Sequence, residues 1–471
     1  MRNWCRMAMV AMAFFPALAM ADEPAPLRPD QQAFRSLYKE LIETDTSLSN
    51  GSCTLAAERM AARLKAAGLK DDQITLFSTP EHPKEGGLVA VWPGTSRKLK
   101  PILLLSHIDV VEARREDWER DPLTLIEELG YLYGRGTADD KAHAAVWVDT
   151  LIRFAQEGYR TRRGVKLALT CGEETNGAFN GAEWLAANRR DLIDAAFALN
   201  EGGGGTLGAD GKVVSQTIQV GEKAFANIQL ETRNPGGHSS VPMPENAIYQ
   251  LAKALDRVEA HPFPIEFNET TRIFFRETGT ARGDELGKAM IALAANPSDR
   301  QAAALVDSNP YYRALLRTTC VATMLEAGHA RNALPQRAQA NINCRIFPTH
   351  SVEDIRREIE AAIADPGVVV TALTPLRPAP PPPPLDEKVL GPIREVMAKH
   401  FPGATLVPAM AAGYTDSTFL TAAGIPSYGV PGFFSATGEV SGVHGLNERI
   451  SMRSLYGGRD FLYDLVKAFT Q

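Results

Sequence analysis

Five short segments of this chain each carry a side chain that can bind a metal ion. They are LLLSHIDVV at 103–111, YGRGTADDK at 133–141, CGEET at 171–175, LNEGG at 199–203 and HGLNERI at 444–450. Together they offer His107, Asp139, Glu174, Glu201 and His444. These nitrogen and oxygen ligands are the types that a pair of zinc ions prefers. The chain is therefore expected to fold so that five distant segments meet around two metal ions.

Three of the five segments follow apolar runs that predict buried strands. The runs and the polar residues after them are Pro101–Ser106 before His107, Lys166–Cys171 before Glu173 and Glu174, and Ala195–Leu199 before Asn200 and Glu201. Ligand sites in α/β sheets gather at the edge where the carboxyl ends of the strands meet. We therefore expect these polar side chains to lie together at one edge of a sheet.

Two further acids in these segments have predicted roles beside the metal ligands. His107 and Asp109 are separated by one residue, so they point to the same side of an extended chain. The Asp109 carboxylate is therefore expected to hold the second imidazole nitrogen and to fix its tautomer. Glu173 and Glu174 are adjacent carboxylates, which repel unless a cation lies between them or one of them is protonated. This pair indicates a general base next to a metal ligand.

The motifs resemble those of the dinuclear zinc peptidase family that contains carboxypeptidase S, the aminoacylases and bacterial glutamate carboxypeptidase. The likeness is greatest to the carboxypeptidase S branch and extends from about Leu103 to the C-terminus. The matching segments are GRGTADDK, PGGHSSVP at 235–242, RTTCVATMLEAGHARNALPQRAQANINCRIFP at 317–348 and HGLNERIS at 444–451.

The resemblance implies a role for each matching position. Asp139 would bridge two metals, with His107 and Glu201 completing one site and Glu174 and His444 completing the other. Glu173 would be the general base. His238 would reach across a dimer to the reacting carbonyl. Asn332 and Arg345 occupy positions that bind substrate in the family.

The chain departs from the family pattern in three places. Asn200-Glu201 stands where the carboxypeptidase S branch usually has Asp-Glu, and Glu201 is kept as the ligand because the second acid aligns with the ligand in aminoacylases. Thr418 stands where the branch has an Arg that helps to hold a substrate carboxylate, so recognition of that carboxylate depends on Arg345. Ala142-His143 replaces a pair that usually ends in a small residue, and the sequence suggests no role for His143.

The resemblance implies hydrolysis of an amide next to a free carboxylate, as in a carboxypeptidase or a dipeptidase. A water activated by two zinc ions per chain would attack, with Glu173 moving its proton. Cobalt or manganese can share such a ligand set. An N-acyl-amino-acid hydrolase is the alternative, so the substrate is a small peptide or an N-acyl amino acid. A relative that binds peptides without turnover is a further alternative, disfavoured because a binding protein needs no base beside the metals.

The N-terminus predicts export. Arg2 and Arg6 precede an apolar stretch from Met7 to Met20, and this pattern is typical of a secretory signal peptide cleaved after Ala21. The stretch is too short for a membrane span, so a secreted or periplasmic protein without a membrane anchor is expected. Without this leader, 48 basic and 56 acidic residues remain, a net charge of −8 that argues against nucleic acid as a partner.

The chain is too long for one hydrophobic core, so we expect two domains. Helical and strand patterns alternate over 22–220 and again over 375–471, which predicts an α/β catalytic domain with a mixed sheet flanked by helices. A smaller α+β domain is expected at 221–374, after the signal peptide at 1–21 and the first part of the catalytic domain. By resemblance this insertion is a lid that also pairs two subunits into a homodimer.

The remaining histidines and the cysteines are given structural interpretations. Surface or core positions are expected for His82, His143, His261, His329, His350 and His400. Export permits disulfides among the four cysteines after residue 21. Cys320 and Cys344, in strand-like segments of one region, form the one pair that merits a test, and free buried thiols are expected otherwise.

Overall fold

The computed structural model describes residues 26–471 except 176–178, 375, 377, 379 and 437. The predicted signal peptide at 1–21 lies outside the described residues. The helices are α1 (Pro29–Ile42), α2 (Cys53–Ala66), α3 (Lys141–Glu157), α4 (Gly181–Asn188), α5 (Arg190–Ile193), α6 (Ala247–Ala260), α7 (Glu269–Arg282), α8 (Glu285–Ala295), α9 (Arg300–Asp307), α10 (Pro310–Leu315), α11 (Val352–Ile363), α12 (Glu387–His400), α13 (Ser417–Ala422) and α14 (Met452–Thr470). Among these helices, none is both long enough and apolar enough to cross a membrane.

The strands of the described residues belong to four sheets. In chain order they are β1 (Ile74–Thr79), β2 (His82–Trp92), β3 (Ile102–His107), β4 (Ile126–Glu128), β5 (Tyr131–Tyr133), β6 (Val165–Thr170), β7 (Ala198–Asn200), β8 (Gly204–Leu207), β9 (Val213–Glu222), β10 (Ala224–Arg233), β11 (Gly237–His238), β12 (Thr319–Ala327), β13 (Ala333–Leu334), β14 (Arg337–Ile346), β15 (Val368–Ala372), β16 (Thr405–Ala411), β17 (Ser427–Gly429), β18 (Phe434–Ala436) and β19 (Arg449–Ser451).

The main sheet has ten strands in the order β1-β2-β6-β3-β7-β17-β9-β8-β18, with β16 also paired to β9. Its centre is parallel, because β3 pairs in parallel with both β6 and β7. The pairs β1-β2 and β8-β9 are antiparallel, while the edge strand β18 pairs in parallel with β8. The prediction of a mixed α/β sheet is confirmed.

Strand β3 shows why the sheet lies between two layers of helices. Every residue from Ile102 to His107 is buried. Because successive side chains of a strand alternate in direction, Ile102 and Leu104 pack into one core with α1, α2, α3, α12 and α14. Leu103 and Leu105 pack into a second core with α4, α5 and α13. A continuous apolar run is what a strand covered on both faces requires.

A second, four-stranded antiparallel sheet has the order β12-β14-β10-β15. Helices α6 and α11 cover one face, where Leu251 and Ile359 pack against Ile228 and Ile342. Strand β12 forms one edge, and most of its residues are exposed. The insertion predicted at 221–374 contains this sheet, although its exact boundaries stay a prediction.

Helices α7 to α10 form a cluster that the sequence patterns did not single out. Phe275, Met290 and Leu315 are buried together in it, and the cluster includes Val407 of strand β16. Part of the inserted segment therefore packs against the main sheet.

The described residues contain two disulfides. Cys320–Cys344, the pair that merited a test, is bonded. The expectation of free thiols elsewhere is wrong, because Cys53 is bonded to Cys171 across 118 residues. The first residue of α2 packs against the residue that follows β6, a proximity that only the packing of helix on sheet creates.

Candidate metal centre

Three neighbouring strands bring polar residues to one edge of the main sheet. Strand β3 ends at His107, which lies opposite Thr170 at the end of β6. Strand β7 pairs with the other side of β3 and ends at Asn200, immediately before Glu201. The strands are parallel, so their carboxyl ends meet at the same edge, as the sequence predicted.

Asp139 lies between the two histidines of the candidate centre. Its Oδ1 atom is 3.1 Å from Nε2 of His107, and its Oδ2 atom is 3.3 Å from Nε2 of His444. One carboxylate therefore faces two imidazoles with its two separate oxygens. This is the geometry expected of a carboxylate that bridges two metal ions.

A second acid completes each half of the arrangement. Glu201 Oε1 lies 3.5 Å from Nε2 of His107, and Glu174 Oε2 lies 2.8 Å from Nε2 of His444. The ligand atoms of His107, Asp139 and Glu201 fall within 4.8 Å of one another, and so do those of Asp139, Glu174 and His444. Two three-residue groups thus share Asp139.

The carboxyl groups of the cluster are buried close to one another, and burial changes their pKa values. Burial, aided by the neighbouring carboxylates, raises the pKa of Glu201 to about 8 and that of Glu174 to about 7. The hydrogen bond with Asp139, together with the charge of Glu174, raises the pKa of His444 to about 9. Burial opposes charge on His107, but Glu201 and the other surrounding carboxylates raise its pKa overall.

Glu173 lies beside the two groups without an ion pair to either histidine among the described residues. One of its carboxylate oxygens lies within 4.8 Å of ligand atoms of His107 and Glu174. Burial raises its pKa, and the charge of Glu201 adds to this effect. Gly172 before it has φ +95°, and a Cβ there would overlap the carbonyl oxygen of Phe179, so the turn that delivers Glu173 needs a glycine.

Asp109 contacts His107 differently from the expected way. The closest contact of imidazole Nδ1 is the backbone oxygen of Asp109, at 3.1 Å, while the carboxylate is 3.6 Å away. The carboxylate instead accepts hydrogen bonds from the backbone N–H groups of Glu173 (3.4 Å) and Glu174 (3.0 Å). Asp109 therefore supports the tautomer of His107 through its main chain and the turn of the two acids through its side chain.

Glu448 is a buried acid that the sequence patterns did not single out. Its carboxylate accepts hydrogen bonds from the backbone N–H groups of Gly136, Ala138 and Asp139 at 2.8–3.1 Å, and from Nη1 of Arg135 at 2.7 Å. It lies four residues after His444 and joins the two loops that carry these ligands. The sequence could have indicated this contact, because Arg135 and Glu448 both lie inside the motifs that match the family.

The departures from the family pattern are also visible. Asn200 is fully buried, and its Nδ2 atom donates to Oγ of Ser417 at 3.1 Å. The Asn200 side chain is therefore hydrogen-bonded within the protein interior, while the Glu201 side chain faces His107. Asp416, two residues before Thr418, accepts hydrogen bonds from Nδ2 of Asn180 at 2.7 Å and from Oγ1 of Thr170 at 2.8 Å. These bonds hold the loop that carries Thr418. Thr418 is buried as well.

The residues expected to bind substrate lie in the insertion predicted at 221–374. His238 and Asn332 are brought together, because β11 pairs with β13 and the N–H of Ser239 donates to the Asn332 carbonyl at 3.0 Å. Within the described residues, His238 contacts Ser240 and has no hydrogen bond to the five candidate ligands. Arg345 lies on β14 over the ring of Phe225, without an ion pair in the described part of the chain.

The cluster fits a pair of divalent cations. Oε1 of Glu201 is buried and has no hydrogen-bond partner among the described residues. A buried acceptor of this kind is costly unless a donor or a cation completes it. The donors are imidazole and carboxylate groups, which suit zinc and its neighbours in the first transition series.

Four of the other histidines are hydrogen-bonded to acids, consistent with structural roles. His82, His261, His350 and His400 lie 2.7–3.0 Å from Glu85, Glu358, Glu266 and Asp464 respectively. His143 is different, because it is buried near the centre and bonded to Asp140.

Comparisons with known proteins found relatives in both sequence and structure. The profile of peptidase family M20/M25/M40 matches residues 103–468. The chain is 31% identical over 385 residues to the human N-fatty-acyl-amino acid synthase/hydrolase PM20D1, across 79% of this chain and 75% of that protein. It is 28% identical over 387 residues to the probable carboxypeptidase S-like 2 of Dictyostelium discoideum, across 81% and 74%. An M20 family metallo-carboxypeptidase structure from Sulfolobus solfataricus has the same fold, with a TM-score of 0.69 and 18% identity, across 94% of this chain and 100% of that one.

Proposed function

The chain belongs to peptidase family M20/M25/M40 and is a metal-dependent hydrolase, and we propose that it is an exported dinuclear zinc peptidase of the carboxypeptidase or dipeptidase type. Membership confirms the resemblance inferred from the motifs. The observation that carries the proposal is the pair of ligand groups that share Asp139, with Glu173 beside them. His107 and Glu201 hold one ion in this proposal, and Glu174 and His444 hold the other.

The acid beside the two groups has the position of a general base. Two ions bound there would lower the pKa of a water and polarise the carbonyl of the scissile amide. Glu173 takes the proton from the attacking water and delivers it to the leaving nitrogen. Asp109 keeps Glu173 oriented, because its carboxylate accepts from the backbone of that turn.

The free carboxylate of the substrate is proposed to bind at Arg345. Arg345 lies near Lys223, whose pKa is lowered to about 7 by burial and by the charges of Arg345 and Arg317. Glu266 offsets part of this positive charge, and an anionic ligand between Lys223 and Arg345 would offset more of it. Asn332 would bind the same part of the substrate.

A homodimer through the second sheet is part of the proposal. Strand β12 is an exposed edge, where Val321, Met324 and Leu325 are 58%, 72% and 65% exposed. Such an edge is a template for pairing with another strand. His238 of a second copy would then help to hold the oxyanion. Mixing a His238→Ala chain with a Glu173→Gln chain tests this, since mixed dimers should regain activity that neither parent has.

Export is proposed from Arg2, Arg6 and the apolar stretch that follows them. The two disulfides support it, because such bonds persist in oxidising compartments. Fractionation of cells that express the full chain, with N-terminal sequencing of the product, tests for cleavage after Ala21.

Hydrolysis of N-acyl amino acids is the second candidate. The human relative PM20D1 is named an N-fatty-acyl-amino acid synthase/hydrolase and is similar over most of its length. The same centre would serve either substrate, because both present an amide next to a carboxylate.

The test couples metal content to hydrolysis. The purified mature chain is analysed for bound metal and then assayed on a panel of dipeptides and N-acyl amino acids, with and without a chelator. About two zinc ions per chain and chelator-sensitive hydrolysis of one class would support the proposal and select the branch. A chain that binds no metal after zinc is resupplied would contradict the ligand assignment.

A further inference from the structure

His143 lies in the first turn of α3, one turn beyond Asp140, and is only 5% exposed. Its Nδ1 atom is 2.5 Å from Oδ1 of Asp140, and the other oxygen of Asp140 accepts from Oγ of Ser106 at 2.5 Å. A carboxylate can only accept here, so Nδ1 carries the proton. In the neutral imidazole, Nε2 is then an acceptor.

That acceptor is unpaired. Nε2 of His143 is buried and has no hydrogen-bond partner in the described part of the chain. The ring of Phe433 packs against the imidazole edge-on, with the ring centroids 4.6 Å apart. Buried polar atoms nearly always have a partner, so one is expected to enter from the adjoining space.

The side chain of His143 lines a cavity of about 270 Å³ that reaches the metal centre. Asp139 and Glu201 line the end at the centre, while His143 and Phe433 line the wall. Glu439 adds another acid. Arg449 also lines the cavity, but it donates to the Tyr133 hydroxyl at 3.1 Å and stacks on a neighbouring tyrosine.

We propose that this cavity binds the acyl side of the scissile amide, and that His143 selects acyl groups that donate a hydrogen bond to its Nε2 atom. The inference rests on the proposed function, because it assumes amide hydrolysis at the adjacent centre. The preferred acyl group carries an amino or hydroxyl substituent, as the first residue of a dipeptide does. Asp140 is a positioning residue that fixes the tautomer of His143.

Cavity size and polarity both support this choice. The volume lies near the lower end of small-molecule pockets, which span about 300–1,000 Å³, and can hold a short acyl group. An unsubstituted alkyl chain would leave Nε2 buried without a donor. Sites built to bond a polar group reject analogues that lack it far better than apolar pockets discriminate by size.

The test compares alanyl, lactoyl, propanoyl and hexadecanoyl amides of one amino acid. We expect kcat/KM for the alanyl and lactoyl substrates to exceed that for the propanoyl substrate by about ten- to a hundredfold. His143→Leu should collapse this ratio to near one, and His143→Gln, whose side-chain oxygen can accept, should restore part of it. His400→Gln is the matched control, since His400 bonds Asp464 away from the cavity, and it should keep the ratio.

A binding measurement separates failure of this inference from failure of the proposed function. Calorimetry on Glu173→Gln protein should show tighter binding of the alanyl than of the propanoyl compound, and His143→Leu in that background should abolish the difference. A wild-type enzyme that prefers the propanoyl or hexadecanoyl substrate, or a His143→Leu enzyme that keeps the alanyl preference, would overturn the role of His143 and leave the hydrolase intact. If no substrate is hydrolysed but the binding preference depends on His143, the proposed chemistry fails and the subsite stands.

Discussion

The carboxylate of Asp109 accepts a hydrogen bond from the backbone N–H of Glu174 at 3.0 Å. Asp109 follows β3 and Glu174 follows β6, so this bond ties the ends of two neighbouring strands. The main-chain oxygen of Asp109 meanwhile faces Nδ1 of His107 at 3.1 Å. One residue therefore orients a candidate ligand from each of the two groups.

Replacing Asp109 by Ala should weaken metal binding. Loss of the carboxylate releases the turn of the two acids, and changes to groups that orient metal ligands typically cost about 10- to 100-fold in affinity. Competition with a chromophoric chelator measures the affinity. The metal affinity of Asp109→Asn, which keeps one acceptor oxygen, should lie between those of the wild type and the Ala variant. Equal affinities for all three proteins would contradict the role of Asp109.

Glu173→Gln should lower kcat by about 10²–10⁴-fold, the usual contribution of a positioned acid–base group. The amide has a similar shape but cannot take a proton from water. Metal content by mass spectrometry should stay at the wild-type value, because Glu173 belongs to neither group around Asp139. Activity close to wild type would remove Glu173 from the mechanism.

Asp139→Ala and Glu201→Ala should differ in the number of ions lost. Asp139 faces both histidines, at 3.1 and 3.3 Å, so its removal should take metal content from about two ions per chain to near zero. Glu201 faces His107 alone, so its removal should leave about one ion. The same stoichiometry in both variants would argue against a shared ligand, provided that circular dichroism shows both to be folded.

Glu448→Ala should destabilise the fold by about 3–5 kcal/mol, the typical cost of leaving a buried charge without its partner. The change strips Arg135 of its carboxylate and three backbone N–H groups of their acceptor. Urea denaturation of the metal-free protein measures the loss. Glu448→Gln, which keeps one acceptor oxygen, should lose less, and an unchanged midpoint in the Ala variant would contradict the prediction.

Because Glu222 is buried, we expect the free energy of unfolding to depend on pH. Burial raises its pKa from 4.5 to about 8, so the folded protein holds this proton more tightly than the unfolded chain does. The stabilising effect of the bound proton is fully present below about pH 4.5 and is lost as pH rises toward 8. Glu222→Gln should therefore be more stable than wild type by on the order of 1–4 kcal/mol at pH 8 and nearly equal at pH 4.5.

Urea denaturation at both pH values checks this difference. Glu116→Gln serves as the matched control, because Glu116 is exposed. A Glu222→Gln difference that is the same at both pH values would mean that the carboxyl is not held neutral by burial.

The sequence was sufficient for the features that depend on local pattern. Apolar runs that end in His107, Glu173 and Glu201 predict strands, and the parallel pairing of β3 with β6 and β7 confirms that their ends meet. Family membership followed from the motifs, because residues that carry chemistry occur there at characteristic spacings. These inferences need only residue type, order and alternation.

Contacts between distant segments were not predictable in the same way. The Cys53–Cys171 bond, the acceptance of three N–H groups by Glu448 and the burial of His143 beside a cavity each depend on packing across many residues. The sequence by itself thus determined the sheet, the family and the set of candidate ligands. Tertiary structure decided which oxygen faces which histidine and which buried polar atoms are left unpaired, because hydrogen bonds and burial depend on distances of a few ångströms between segments that sequence order does not relate.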